Sequence, residues 1–331
     1  MKKILNSVEN VVPEMLEGMM LAHPDLKILP GTQVVVRKNR PSGEKVGVIS
    51  GGGSGHEPAH AGYVGAGMLD AACAGALFSS PSVDQMIEGI RAVDMGKGVL
   101  IVAKNYTGDN LNFDMAAELL EDEGIRVEKV VVKDDIAVEE SENTTGRRGV
   151  AGTIFVHKIA GAKAESGADL DEVKRCAEKA IRNIRTFGFA LSPCIIPSVG
   201  KPGFTLEEEE MELGTGIHGE AGIKRMSIPS SRELAEILLE KIQSNIVLNG
   251  GEEVAVMVNG CGATPLMELY ILMQDVAKIL TEKRIGLYKS FVGNYMTSLE
   301  MAGGAVTVMK LDDELKELLD AKADTFAFHM G

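Results

Sequence analysis

GVLIVA, residues 98–103, is an apolar run that opens on a glycine and ends at the polar turn KNYTGDN. Six residues without a polar interruption predict a strand covered on both faces, as in a parallel sheet flanked by helices. Upstream, VDQMIEGIRAV (83–93) has apolar residues at helical spacing, and Pro81-Ser82 followed by Gln85 predicts a capped start. Earlier still, TQVVVRK (32–38) and KVGVIS (45–50) read as strands. Downstream, Asn112 to Glu123 reads as a helix stopped by Gly124, and VEKVVVK (127–133) as the next strand. This alternation implies an α/β domain with largely parallel strands.

A second unit follows. Residues 152–188 read as helical, in TIFVHKIAGAKAE and then DLDEVKRCAEKAIRNIRTFG, before strand-like text at ALSPCIIPSV (190–199). The run Glu207–Glu210 reads as a solvated turn or edge, and Ser230 with Glu233 as a capping box. VAVMVNG (254–260), a helix opened by Thr264-Pro265, RIGLYKSFVG (284–293) and GAVTVMK (304–310) complete it. The expected architecture is two α/β domains, 1–185 and 186–331, each a parallel or mixed sheet covered by helices.

The 331 residues suit two such domains, and 45% apolar residues give each a full core. A net charge of -14 with no basic stripe argues against nucleic-acid binding, and 4% aromatics leaves few platforms for base stacking. Cys73, Cys176, Cys194 and Cys261 form no CxxC pair and have no histidine at metal-finger spacing, so they read as small buried apolar residues. The start MKKILNSVENVVPEM lacks an apolar signal-peptide region, and GAGMLDAACAGALF is too short to span a bilayer. The expected compartment is the cytoplasm, with no membrane contact.

Three segments carry chemistry. SGGGSGHEPAHAGYVGAG (50–67) follows the strand KVGVIS, at the sheet end where open α/β folds place ligands. Its glycines let backbone N–H groups approach a polar ligand, and His56 adds a group that titrates near neutrality. It is not a phosphate loop of the GxxxxGK[ST] kind. Nor is it a dinucleotide fingerprint, because Pro58 interrupts the helix that such a motif needs. The second segment, AKNYTGDN (103–110), offers Lys104, Asn105 and Asp109 at a strand end. Asp109 reads either as a turn or N-cap residue, or as a general base or hydroxyl acceptor. The third, GTGIHGE (214–220), places His218 among small residues. His23, His157 and His329 read as structural or exposed, and His60 stays ambiguous beside the glycines.

In this order and at these separations, SGGGSGHEP, KNYTGD and GTGIHGE resemble the substrate-binding K subunit or domain of the dihydroxyacetone kinases. The likeness runs nearly end to end, from NSVENVVPEM to the last strand. It implies that His218 carries dihydroxyacetone as a covalent hemiaminal, and that His56 and Asp109 are catalytic at the hydroxyl to be phosphorylated. It further implies that Gly53, Ser54, Gly55 and Lys104 contact the substrate. A neutral imidazole can add to a ketone and an imidazolium cannot. Such a tether fixes the terminal hydroxyl for transfer and rejects glycerol, which has no carbonyl.

No phosphate loop is present, so the donor must lie elsewhere. The resemblance implies no cofactor and no metal in this chain. In the family it resembles, the nucleotide sits either on a helical domain of the same chain or on a separate helical L subunit carrying ADP with Mg²⁺, recharged from phosphoenolpyruvate through a phosphotransferase-system phosphocarrier. The 331 residues favour the L subunit, a separate ATP-dependent partner stays open, and the family implies a homodimer. The competing reading is a non-catalytic dihydroxyacetone sensor that co-activates a transcription regulator; it needs His218 but not His56 or Asp109. A nucleotide-binding oxidoreductase is disfavoured by Pro58 and by the missing acidic residue at the strand end.

Overall fold

A computed structural model describes residues 2–39, 44–138 and 145–331. The described residues fall into two compact units. The first takes residues up to Val132, Phe155–Ala180 and Leu315–Gly331; the second takes Lys133–Ile154 and Ile181–Glu314. Both units are discontinuous in sequence: Lys133–Ile154 groups with the second and Leu315–Gly331 with the first. The strip before Ile154 is stitched into the second unit by Asp134, whose carboxylate accepts from Val150 N–H and Gly152 N–H (2.8 Å each) and from the Thr186 hydroxyl at 2.6 Å. The carboxyl-terminal segment is stitched into the first. The buried Lys158 ammonium donates to the Leu318 carbonyl at 2.6 Å, and Asp324 bridges to Ala66.

In the first unit, β1 (Leu26–Ile28), β2 (Val34–Arg37), β3 (Gly47–Ser54), β4 (Ala71–Leu77), β5 (Val99–Lys104) and β6 (Val127–Val132) form one mixed sheet in the order β1-β2-β4-β3-β5-β6. β4, β3, β5 and β6 run parallel, while β1–β2 and β2–β4 are antiparallel. Its helices include α1 (Val11–Ala22), α2 (Val83–Val93) and α3 (Thr107–Glu121). Ser82 caps α2 by accepting from the Gln85 N–H, as the sequence predicts. Met86, Ile90, Phe113, Ala116 and Leu120 pack on Ile49, Val99 and Ile101 to form the core. All six residues of β5 are buried, which is why GVLIVA shows no alternation.

After α4 (Thr153–Glu165) and α5 (Leu170–Asn183), the second unit contains β7 (Ile184–Ala190), β8 (Glu210–Leu213), β9 (Lys224–Ser227), β10 (Glu253–Gly260), β11 (Gly286–Gly293) and β12 (Gly303–Leu311). Their order is β11-β10-β12-β7-β8-β9; β10–β11 is parallel and every other pair antiparallel. Helices α6 (Ser231–Gln243) and α7 (Leu266–Glu282) cover it, with Leu238, Leu239, Leu272 and Val276 packed on Val254, Val256 and Val306. Ser230 and Glu233 form the expected capping box.

Four local readings change. β3 does not end at Ser50 but continues through the glycines to Ser54, paired with β4 at Gly51–Cys73, Gly52–Ala74 and Gly53–Gly75. α3 starts at Thr107 rather than Asn112, which puts Asp109 inside its first turn. Residues 184–190 are strand, because β-branched and aromatic side chains pair there with β12. Beyond Ala190, the last residue of β7, ALSPCIIPSV forms no strand apart from an isolated Ile195–Pro202 bridge, since its prolines remove ladder donors.

Candidate functional site

The first group of site residues grows out of β3 and β5. These strands are parallel neighbours, so their carboxyl ends lie side by side. The chain leaves β3 for β4 on one side and β5 for β6 on the other, the topology that opens a crevice at strand ends. His56 lies just past β3, fully buried, its ring stacked on Phe78 at 5.0 Å between centroids. Ser54 is buried and donates its hydroxyl to the Gly75 carbonyl at 2.7 Å. Gly55 donates its N–H to the Glu57 carboxylate at 3.0 Å. Burial raises the Glu57 carboxyl above its ordinary value, with backbone N–H groups pulling the other way. No helix follows the glycines; residues 57–60 form turns before a 3-10 turn at Ala61–Tyr63, consistent with Pro58 as a breaker.

Lys104 ends β5 and is fully buried, its ammonium 5.4 Å from the centroid of the Tyr106 ring. Asp109 is 3% exposed, in the first turn of α3, where the helix dipole favours a carboxylate. Both reach the same patch of β3. A Cβ built on Gly52 would lie 3.1 Å from Lys104 Nζ and 3.4 Å from Asp109 Oδ2. Glycine is needed there because a side chain would occupy the space that the two charged groups use. Gly53 is needed for a different reason: its Cβ would meet the backbone at Ser79 N, 2.5 Å away.

His60, ambiguous in the sequence, and His157, read there as structural or exposed, line this region. His60 Nδ1 lies 3.0 Å from His157 Nε2 and 3.4 Å from Ser50 Oγ, whose proton goes to the Val102 carbonyl. Burial holds His157 down to about 3, helped by the charge of Lys104; His60 is likewise pushed well below its ordinary value by burial and by Lys104, His157 and His56. His157 is buried, which agrees with its reading as a structural histidine. His23 stacks on Phe326 with centroids 3.8 Å apart.

The second group belongs to the second unit. GTGIHGE is the connection between β8 and β9, whose ladder closes at Leu213–Lys224. The loop is tied by Gly216 N–H to the Glu220 carbonyl and by Gly219 N–H to the Gly216 carbonyl, 3.1 Å each. Gly219 has φ +75°, left-handed backbone that suits glycine. The His218 side chain keeps 20% of its surface exposed. Its backbone N–H donates to Glu220 Oε2 at 2.8 Å, and its Nδ1 lies 3.2 Å from Glu220 Oε1. Burial opposes ionisation of Glu220, but His218 and Arg148 bring its carboxyl down to about 2. Arg148 in turn donates to Asp135 Oδ2 at 2.7 Å and to the Gly214 carbonyl at 2.8 Å. Burial pushes Asp135 up to about 6 against the pull of Arg148.

The structure thus gathers Gly53, Ser54, Gly55, His56, Lys104 and Asp109 at one sheet end of the first unit and sets His218 on a loop of the second. Glu220 stood in the motif as a letter without a role; its spacing of two from His218 was the available signal. Nothing in the sequence marked Arg148 or Asp135, which reach this loop only through the fold.

The Dak1 domain family matches the chain over residues 17–327. The chain belongs to the Dak1 family. The dihydroxyacetone-binding subunit DhaK of PTS-dependent dihydroxyacetone kinase 1 from Listeria innocua serovar 6a is 54% identical to this Dak1 chain over 330 residues, covering 99% of this chain and 100% of that one. Among solved structures, a dihydroxyacetone kinase operon co-activator, DhaQ, is 38% identical with a TM-score of 0.91, covering 96% of this chain and 99% of that one. The native dihydroxyacetone kinase of C. freundii is 36% identical with a TM-score of 0.87, covering 99% of this Dak1 chain and 60% of that protein. The family expectation drawn from the three motifs therefore holds. No helix among the described residues is long and apolar enough to cross a membrane.

Proposed function

We propose that this chain is the dihydroxyacetone-binding subunit of a dihydroxyacetone kinase, acting in the cytoplasm as a homodimer. The carrying observation is the likeness to a DhaK subunit, 54% identical over 330 residues, in a chain that has His56, Lys104, Asp109 and His218. Dihydroxyacetone enters and its central carbonyl carbon is attacked by His218. A C–N bond forms, the carbonyl π pair moves to oxygen, and that oxygen takes a proton, giving a hemiaminal. The terminal hydroxyl then loses its proton to Asp109, assisted by His56, as its oxygen bonds to phosphorus. Lys104 offsets the charge of the Asp109 carboxylate before proton transfer and that of the entering phosphoryl group. Gly53, Ser54 and Gly55 shape the substrate contact. A separate L subunit holding ADP with Mg²⁺ would deliver the phosphoryl group after that ADP has been rephosphorylated from phosphoenolpyruvate through a phosphotransferase-system carrier.

A second reading, a dihydroxyacetone-sensing co-activator, is favoured by the likeness to DhaQ. The deciding experiment mixes the chain with dihydroxyacetone and a phosphorylated, ADP-loaded L subunit. Formation of dihydroxyacetone phosphate supports the kinase reading. An adduct that is never phosphorylated supports the sensor.

A further inference from the structure

We propose that Glu220 is a positioning residue that fixes the tautomer of His218, holding the ring proton on Nδ1 so that Nε2 is the nucleophilic atom. This rests on the reading of His218 as the substrate carrier. The two Glu220 oxygens are divided: Oε2 accepts the backbone N–H of His218 at 2.8 Å, and Oε1 faces Nδ1 at 3.2 Å. An ionised carboxylate only accepts hydrogen bonds, so Nδ1 must donate, and a neutral ring protonated there has its lone pair on Nε2.

The site around Glu220 is built to keep that carboxylate ionised and in place. Against the cost of burial, His218 and then Arg148 lower its pKa, and Arg148 is itself anchored to Asp135 and to the Gly214 carbonyl. Gly216 supplies the space: a Cβ there would lie 2.1 Å from Glu220 Oε2 and 2.6 Å from Arg148 Nη1. The order Asp135–Arg148–Glu220–His218 thus runs from a buried anchor to a partly exposed ring.

The chemistry needs this arrangement. When Nε2 adds to the ketone, the ring becomes positively charged while the oxygen becomes an alkoxide. Glu220 faces the new charge directly. Loss of the Nδ1 proton and gain of one by the alkoxide then give the neutral hemiaminal, with no net change in protons.

Glu220→Gln tests the assignment. Its single carbonyl oxygen can serve only one of the two donors. With that oxygen on the backbone N–H, the amide NH₂ faces Nδ1 and demands a lone pair there, which moves the ring proton to Nε2. The expected result is adduct formation reduced by about 100-fold or more, with a ¹⁵N spectrum in which the His218 proton moves from Nδ1 to Nε2. Glu220→Asp keeps the charge and recovers part of the adduct. Gly216→Ala displaces the carboxylate independently and lowers adduct formation even if the Gln variant fails to fold.

His218→Ala separates the two ideas. If Glu220→Gln and Gly216→Ala form the adduct as the native chain does while His218→Ala forms none, the positioning role is overturned and the carrier reading stands. A native spectrum with the proton on Nε2 also overturns it. An adduct that survives His218→Ala overturns the carrier reading and this proposal with it.

Discussion

Lys104 and Asp109 converge over one glycine: a Cβ on Gly52 would touch Nζ of the first at 3.1 Å and Oδ2 of the second at 3.4 Å. Gly52→Ala should therefore act mainly on these two side chains. We expect turnover to fall by about 100-fold and stability by about 1–3 kcal/mol, with the adduct on His218 retained. Steady-state kinetics and adduct mass measured on one preparation check this. Unchanged turnover would separate Lys104 and Asp109 from the reaction.

Gly53→Ala should behave differently, because its Cβ would strike backbone, at Ser79 N and at Phe78 Cα. Backbone cannot swing aside as the end of a side chain can. We expect a loss of about 1–3 kcal/mol in chemical denaturation, and lower activity through a displaced β3–β4 junction.

This contrast marks what the sequence made legible. The glycine run was recognisable as a place of close approach, but it read as a loop after KVGVIS. Nothing in the letters reveals that β4 approaches closely enough to extend the ladder to Ser54. GVLIVA, VDQMIEGIRAV and Ser230 with Glu233 were readable because their patterns are local. The strand at 184–190 was not, because no glycine or proline separates it from the charged helix before it. The paired His60 and His157, and the anchors Arg148 and Asp135, become neighbours only when distant segments fold together.

Asp109→Asn should preserve the adduct and reduce phosphoryl transfer by about 10²–10⁴-fold. The side chain stays the same size and loses only its capacity to take a proton. Rapid-mix assays with saturating partner subunit provide the rate. Native-like transfer would remove Asp109 from the base role.

His157 makes stability depend on pH in a defined direction. Its folded value of about 3 lies below the ordinary 6.5, so the unfolded chain binds the extra proton first as the solution is acidified. Its contribution to stability is complete above pH 6.5 and is lost as pH falls toward 3. His60 adds to the same trend, while Lys104 opposes protonation of both. Denaturant midpoints between pH 7 and pH 4.5 should fall less steeply for His157→Gln than for the native chain, by up to about 1.4 kcal/mol per pH unit. Parallel curves would show that His157 titrates normally.

The most direct measurement is the intact mass of the chain after incubation with dihydroxyacetone and rapid quenching, followed by peptide mapping. The account predicts a mass increase of one triose per chain, located on His218 and absent from His218→Ala. A chain that binds the triose without gaining mass, or gains it at another residue, would contradict it.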